Sequence, residues 1–414
     1  MDLQIIPKKL SGAVTPPPSK SQAHRLLIAA ALSGGVSVLH GLAESQDIQA
    51  TRRCLSALGA GMEDLPDGGL RVHGLGHGIV MAPPYALLDC GESGSTLRFL
   101  IPVALLVQGE ASFTGRGRLM ERPLKPYEDL FREKGVAWKL EDHILTVNGG
   151  RGYDALALDP GVYRLPGNVS SQFFTGLLFV LPLLNGDSTL VSTTPLESRD
   201  YLEMTRQALA AAGVTTRWAD ENTLCVPGGQ TYQPFEAAVE ADWSQAAFWY
   251  AADFLDSRVD IRGLNPDSAQ GDKVVSELYW KLARPGDAEI DVSGCPDLLP
   301  PLAVMAAVRS GTTRFTNAAR LRIKESDRLS TTAALLTALG GRAEEGPDFL
   351  TVHGGPLTGG TVDSANDHRI AMAAAIAATG CTGPVTIRGA ECVQKSYPDF
   401  WEVYRSLGGD IHVL

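Results

Sequence analysis

Two short stretches of this chain crowd cations together with carboxylates: Leu321-Arg322-Ile323-Lys324-Glu325-Ser326-Asp327-Arg328 and Asn366-Asp367-His368-Arg369. Such a mixture suits small, highly charged anions. Phosphates and carboxylates brought to one place repel one another, so a site for two of them needs several fixed cations. Arg supplies a planar bidentate fork and Lys a compact point charge. A helix turn over 324–328 would instead place Lys324 and Arg328 on one face at i, i+4, paired at the surface with Glu325 and Asp327. The joint occurrence of that run with His368-Arg369 and Lys395 favours the anion site. His368 stays open between a capping or core role and contact with a ligand.

The rest of the composition narrows the choice. The 414 residues carry a formal charge of −11, with 44% hydrophobic and 20% charged residues. That length suggests two or three domains, and we take two. A broad basic face is missing, which argues against a nucleic-acid partner. No long apolar span points to a membrane. The first nine residues show no targeting segment, and the six cysteines form neither CxxC pairs nor zinc-like clusters with His. Reduced thiols and a cytoplasmic location are therefore expected.

The elements that must position these residues recur. Six short markers read as half-buried strands ending in turns: Leu70-Arg71-Val72-His73-Gly74, Leu145-Thr146-Val147-Asn148-Gly149, Leu224-Cys225-Val226-Pro227-Gly228, Ile290-Asp291-Val292-Ser293-Gly294, Leu350-Thr351-Val352-His353-Gly354 and Ile411-His412-Val413. Between them lie amphipathic helices over 48–58, 201–212 and 329–339, each followed by a Gly suited to a C-cap. Other helices open at Ser19-Lys20-Ser21, Ser93-Gly94-Ser95-Thr96, Asn168-Val169-Ser170-Ser171-Gln172, Asp242-Trp243-Ser244, Pro296-Asp297 and Asn366-Asp367-His368. Each such start offers unpaired N–H groups and a positive dipole end to an anion, although ordinary N-capping explains any one of them. Six helix-and-strand copies fit two domains of three.

In this order the motifs resemble the 5-enolpyruvylshikimate-3-phosphate synthase family of carboxyvinyl transferases, from Pro18-Ser19-Lys20-Ser21 to Lys395-Ser396-Tyr397-Pro398-Asp399. The resemblance implies a two-domain inside-out α/β barrel, each domain built of three βαβαββ units. It places domain I at 1–19 plus 241–414 and domain II at 20–240, with the active site in the cleft between them. The implied reaction joins phosphoenolpyruvate to shikimate 3-phosphate and releases phosphate. No metal or organic cofactor is implied, the partners are the two small-molecule substrates alone, and a monomer is expected. By that similarity Lys20, Ser21, Arg25, Ser170, Ser171, Gln172, Ser198, Tyr201, Asp297 and Lys324 surround shikimate 3-phosphate. Lys20, Gly94, Arg122, Gln172, Arg328, Arg369 and Lys395 match the phosphoenolpyruvate positions. Asp297 matches the base at the attacking hydroxyl, Glu325 the proton carrier for the methylene carbon, and Lys20 the group that steadies the departing phosphate. Glu92 and Arg320 depart from the family pattern; the first could face solvent and the second form an ion pair. Two alternatives are a UDP-N-acetylglucosamine enolpyruvyl transferase and a noncatalytic anion-binding relative.

Overall fold

The computed structural model describes residues 1–76, 87–150 and 158–414. The chain divides into two compact units, one formed by Met1–Ser19 with Glu240–Leu414 and the other by Lys20–Val239. Glu240, placed by the sequence reading at the end of domain II, sits with the first of these. Its carboxylate accepts from Asn265 Nδ2 at 2.6 Å and Ser268 Oγ at 2.5 Å.

The unit of residues 20–239 carries α1 (Lys20–Ala31), α2 (Gln46–Ala57), α3 (Gly94–Gln108), α4 (Lys125–Glu133), α5 (Ser171–Val180) and α6 (Arg199–Ala211). Among the described residues its strands make three four-stranded sheets. One is built from strand Leu87–Asp89, α3, strand Glu110–Thr114, α4, and the hairpin Ala137–Glu141 with Ile144–Asn148. The first strand runs parallel to the second, and the hairpin's second strand lies antiparallel on the second strand's other side. The same βαβαββ order recurs from Val162–Leu165 to Thr223–Val226. The third copy borrows its first strand, Glu236–Ala238, from the far end of the unit.

The other unit carries α7 (Trp243–Phe254), α8 (Val275–Leu282), α9 (Leu299–Val308), α10 (Arg328–Ala338), α11 (His368–Ala378) and α12 (Phe400–Ser406). One repeat is complete, from Ala288–Asp291 to Leu350–His353. A second takes its inner strand, Leu3–Ile6, from the N-terminus. The third has only Ser11–Val14 paired with Arg258–Ile261. Five of the six units thus match the expected repeat in strand number, and the sixth lacks its hairpin. The markers are also less uniform than the sequence suggested. Those at Leu70, Leu145, Leu224 and Leu350 form the inner antiparallel strand. Ile290 instead lies on a first, parallel strand, and Ile411 on an edge strand. An apolar alternation ending in Gly reports a half-buried strand and says nothing about its direction.

The inside-out character follows from hydrophobicity. Every residue of α11 is buried, as are nearly all of α9, whereas strands such as Leu350–His353 alternate buried and half-buried positions. A helix apolar all round must be enclosed, while a strand with one polar face can cover it. Among the described residues no sheet closes on itself. The helices read at 48–58, 201–212 and 329–339 are α2, α6 and α10. After α6, Gly213 takes φ +76°, its N–H reaching Ala210 O while Val214 N–H reaches Leu209 O, which uses two carbonyls the helix leaves open.

Candidate active site

In the unit containing α7 to α12, buried carboxylates and cations gather at helix starts. Asp367 caps α11, accepting the Arg369 N–H at 3.0 Å. Its side chain is fully buried, and it also accepts from Ser326 Oγ at 3.0 Å and Arg328 Nε at 3.0 Å. Arg328 opens α10, and only 1% of its side chain is exposed. Its remaining nitrogens reach Asp297 Oδ1 at 2.7 Å, Glu325 Oε2 at 2.5 Å and Asp367 Oδ1 at 3.3 Å. Asp297 stands in the short turn Pro296–Leu298 that leads into α9. It receives Arg369 Nη2 at 3.1 Å on Oδ2, and Lys324 Nζ lies 3.6 Å from Oδ1. The 324–328 run is not a helical face. Lys324 has φ −84° and ψ −157°, and α10 begins only at Arg328, so the i, i+4 surface pairing does not form.

This packing sets the charges. Burial by itself would raise the Asp297 carboxyl, but Arg369, Lys324 and Arg328 together hold it well below the usual carboxylate range. Lys324 is pushed down to about 8 by burial and by Arg320 and Arg328, against the opposing pull of Asp297 and Glu325. Burial works against the Arg328 charge, yet Asp367, Glu325 and Asp297 raise its proton affinity on balance. Lys395 Nζ donates to the Asn366 carbonyl at 2.6 Å, in a turn where Ala365 and Asn366 both take the left-handed conformation before α11. Asn366, Arg369 and Lys395 are thereby tied to one helix start. His368 is buried in the first turn of α11. Arg320 is buried and donates to the Ser293 carbonyl.

A second cluster lies in the unit of residues 20–239. Lys20, at the start of α1, forms an ion pair with Asp47 at 2.7 Å. Arg25 is turned inward, only 2% exposed. Its guanidinium donates to Ser21 O at 2.6 Å, Tyr201 O at 3.1 Å and Thr205 Oγ1 at 2.9 Å, and packs over the Phe99 and Tyr201 rings. Burial lowers it to about 10, with Tyr201 opposing. It therefore ties α1 to α6 and holds Ser21 and Tyr201 in place. Ser170 caps α5 by accepting the Gln172 N–H at 3.3 Å. Ser171 is buried in the first turn of that helix. Ser198 caps α6 in a left-handed conformation, φ 54° and ψ 48°, a sparsely populated geometry for a residue with a Cβ.

Gln172 Oε1 accepts from Arg98 Nη1 at 2.7 Å, and its Nε2 donates to Ser95 Oγ at 3.0 Å. Gly94 begins α3 beneath Arg122: a Cβ placed on it would stand 2.7 Å from Arg122 Nη1 and 2.9 Å from Cζ. The glycine is thus what lets the guanidinium lie against the backbone. Pro123 favours the extended conformation seen at Arg122, φ −69° and ψ 143°. Glu92 is half-buried with its carboxylate against Gly117, rather than turned fully to solvent.

Asp297, Lys324, Glu325, Arg328, Arg369 and Lys395 thus gather around the starts of α9, α10 and α11, while in the other unit Arg25 joins Ser21 to Tyr201, Lys20 meets Asp47, Gly94 meets Arg122, Gln172 meets Arg98, and Ser170, Ser171 and Ser198 stand at the starts of α5 and α6. Sequence reasoning missed the supports: Asp47 under Lys20, Arg98 behind Gln172, Asp367 behind Arg328, and Asp272. Asp367 lay inside a quoted motif, and Arg98 one turn beyond Gly94, so their types and places were visible but not their partners. Asp272 carried no signal. It is buried in the short turn Gly271–Val274, its Oδ1 without a hydrogen-bond partner among the described residues, and burial and then Asp297 push it up to about 7. Among the described residues no group of three or more His, Cys, Asp or Glu is placed to hold a metal ion, and no helix is long and apolar enough to cross a membrane.

The chain is similar to known proteins over nearly its whole length. Residues 5–404 match the EPSP synthase (3-phosphoshikimate 1-carboxyvinyltransferase) family. A 3-phosphoshikimate 1-carboxyvinyltransferase of Clostridium kluyveri is 44% identical, the match covering 99% of this chain and 98% of the relative. One from Clostridioides difficile is 40% identical with the same coverage. Among solved structures, EPSP synthase from Acinetobacter baumannii superposes with a TM-score of 0.80 at 25% identity, covering 100% of both chains. The enolpyruvyl transferase NikO from Streptomyces tendae shares the fold, with a TM-score of 0.78 at 20% identity over 99% of this chain and 98% of its own. The chain belongs to the EPSP synthase family.

Proposed function

We propose that this enzyme transfers the carboxyvinyl group of phosphoenolpyruvate to the 5-hydroxyl of shikimate 3-phosphate, releasing phosphate, in the route to chorismate and the aromatic amino acids. The observation that carries this reading is Asp297, a half-buried carboxylate kept ionised by Arg369, Lys324 and Arg328. As the base, it takes the hydroxyl proton while the oxygen attacks C2 of the enol phosphate. Glu325, held through Arg328 at the same turn, delivers a proton to C3. The tetrahedral ketal phosphate then returns a C3 proton to the Glu325 carboxylate and expels phosphate, with Lys20 steadying the departing oxygen. Arg122 over Gly94, with Gln172, Arg328, Arg369 and Lys395, supplies fixed donors to the carboxylate and phosphate of phosphoenolpyruvate. Ser21, Ser170, Ser171, Gln172, Ser198 and Tyr201, with Arg25 behind them and Lys20, Lys324 and Asp297, take shikimate 3-phosphate.

In this reading the two clusters serve one pair of substrates. We take the protein to be a cytoplasmic monomer, and sedimentation of the purified protein tests the oligomeric part. The UDP-N-acetylglucosamine alternative is set aside because curated relatives at 40–44% identity carry the phosphoshikimate name. The retained carboxylates Asp297 and Glu325 count against a noncatalytic relative. Purified enzyme mixed with both substrates should release inorganic phosphate, and Asp297→Ala should bind substrate but turn over far more slowly. Release only with a UDP-sugar acceptor would refute the assignment.

A further inference from the structure

A chain of buried side chains runs behind the Gly94 turn without belonging to the residues assigned above. His24 Nδ1 lies 2.8 Å from Thr51 Oγ1, which lies 2.7 Å from Thr96 Oγ1, which donates to Ser93 Oγ at 2.7 Å. All four residues are buried, and they belong to α1, α2 and the start of α3. Ser93 is the N-cap of α3, its Oγ also accepting the Thr96 N–H at 3.1 Å. A branch leads sideways: Thr96 Oγ1 also lies 3.5 Å from the Asp47 carbonyl, and the Asp47 carboxylate holds Lys20.

The polarity of this chain can be worked out. The Thr96 hydroxyl has one proton and gives it to Ser93, so the Thr51 hydroxyl must donate to Thr96, and His24 must donate from Nδ1 to Thr51. That leaves Nε2 of His24 as a bare lone pair, and it has no hydrogen-bond partner among the described residues. The opposite polarity would strand a buried N–H there, which is the rarer and costlier defect. Burial first, and then Lys20 and Arg25, also hold His24 well below its usual value, so the ring is neutral. Its edge packs against Phe99 of α3 at 6.3 Å.

We propose that His24, Thr51 and Thr96 form a one-way hydrogen-bond relay that sets the position of the Gly94 turn against Lys20, and so positions the groups that receive phosphoenolpyruvate. These are positioning residues, acting through Ser93 on the Gly94 turn and through α1, which carries both His24 and Lys20. The proposal rests on the assignment of Gly94, Arg122 and Lys20 to phosphoenolpyruvate. It predicts a larger effect on phosphoenolpyruvate than on shikimate 3-phosphate: the relay ends at Ser93, beside Gly94, whereas Ser170, Ser171, Ser198 and Tyr201 stand at α5 and α6, and of the phosphoshikimate groups only Lys20, Ser21 and Arg25 share α1 with His24.

The test uses Thr51→Val, nearly isosteric but without the hydroxyl, and Thr51→Ser, which keeps it. Amide hydrogen exchange at residues 94–97 reads the relay with no substrate present. Thr51→Val should speed exchange there by about tenfold and raise the phosphoenolpyruvate KM by about tenfold. The shikimate 3-phosphate KM should change less than about twofold, and Thr51→Ser should recover most of both effects. His24→Asn, whose amide nitrogen can occupy the Nδ1 place, is a second variant and should behave like Thr51→Ser. Unchanged exchange in Thr51→Val overturns the relay whatever the kinetics, and so does an equal rise in both KM values. Faster exchange in an enzyme that does not use these substrates at all would support the relay and refute the functional reading.

Discussion

Replacing Arg328 with Met removes four hydrogen bonds and the cation shared by Asp297, Glu325 and Asp367. Asp297 would keep Arg369 and Lys324, so the loss falls hardest on Asp367, whose carboxylate is fully buried and would retain the Ser326 hydroxyl and the Arg369 N–H. Breaking a buried pair by removing one partner costs about 3–5 kcal/mol. For a unit of roughly 150–250 residues each kcal/mol moves the melting midpoint by about 2–4 °C, so scanning calorimetry should show a drop of roughly 6–20 °C in one transition. The pH dependence gives a sharper signature. Asp297 has a folded value below its ordinary 3.8. It therefore contributes stability above that pH, and the contribution is lost as pH falls through the folded value. Without Arg328 the depression shrinks, so the gap between wild type and variant is widest near neutral pH and narrows below about pH 5. Arg328→Lys keeps the charge with fewer donors and should fall between the two. A midpoint within about 2 °C of wild type, with a gap indifferent to pH, would show that these carboxylates do not depend on this guanidinium.

Other outcomes follow from the same geometry. Asp272 is raised to about 7 from 3.8, so it costs nothing below pH 4, increasingly more up to pH 7, and its full penalty above that. Asp272→Asn should therefore melt higher at pH 8, by at most on the order of 4 kcal/mol, with the gain gone at pH 4; equal midpoints at pH 8 would contradict this. Lys324, lowered to about 8, loses its charge as pH rises through that value, so kcat/KM should fall on the alkaline side. Lys324→Arg should move that limb upward, and an unmoved profile would assign the limb elsewhere. Gly94→Ala puts a methyl 2.7 Å from Arg122 Nη1 and should raise the phosphoenolpyruvate KM by about tenfold while sparing that for shikimate 3-phosphate. An unchanged phosphoenolpyruvate KM would mean that Arg122 does not serve that substrate from this position.

Much of this was legible in residue types. Ser93, Ser170, Asp242 and Asp367 were marked as helix starts by their own side chains, and each caps the helix that follows it. N-caps are local, since the side chain bonds a backbone N–H two or three residues ahead. The sixth repeat was less legible. Its alternating marker at Ile290 belongs to the next unit, because a strand's partner and direction depend on distant chain.

The amino-acid sequence by itself determined the family, the helix starts, the cations and the two carboxylates we propose for the chemistry, because each of these is written in residue type and short spacing. Only the tertiary structure decided which charge answers which. Arg328 meets Asp367 across 39 residues and Arg369 meets Asp297 across 72, while Arg25 donates to the carbonyls of Ser21 and Tyr201. Burial makes the difference. Away from water a charge must find a partner wherever the fold brings one, and no local pattern records which partner that is.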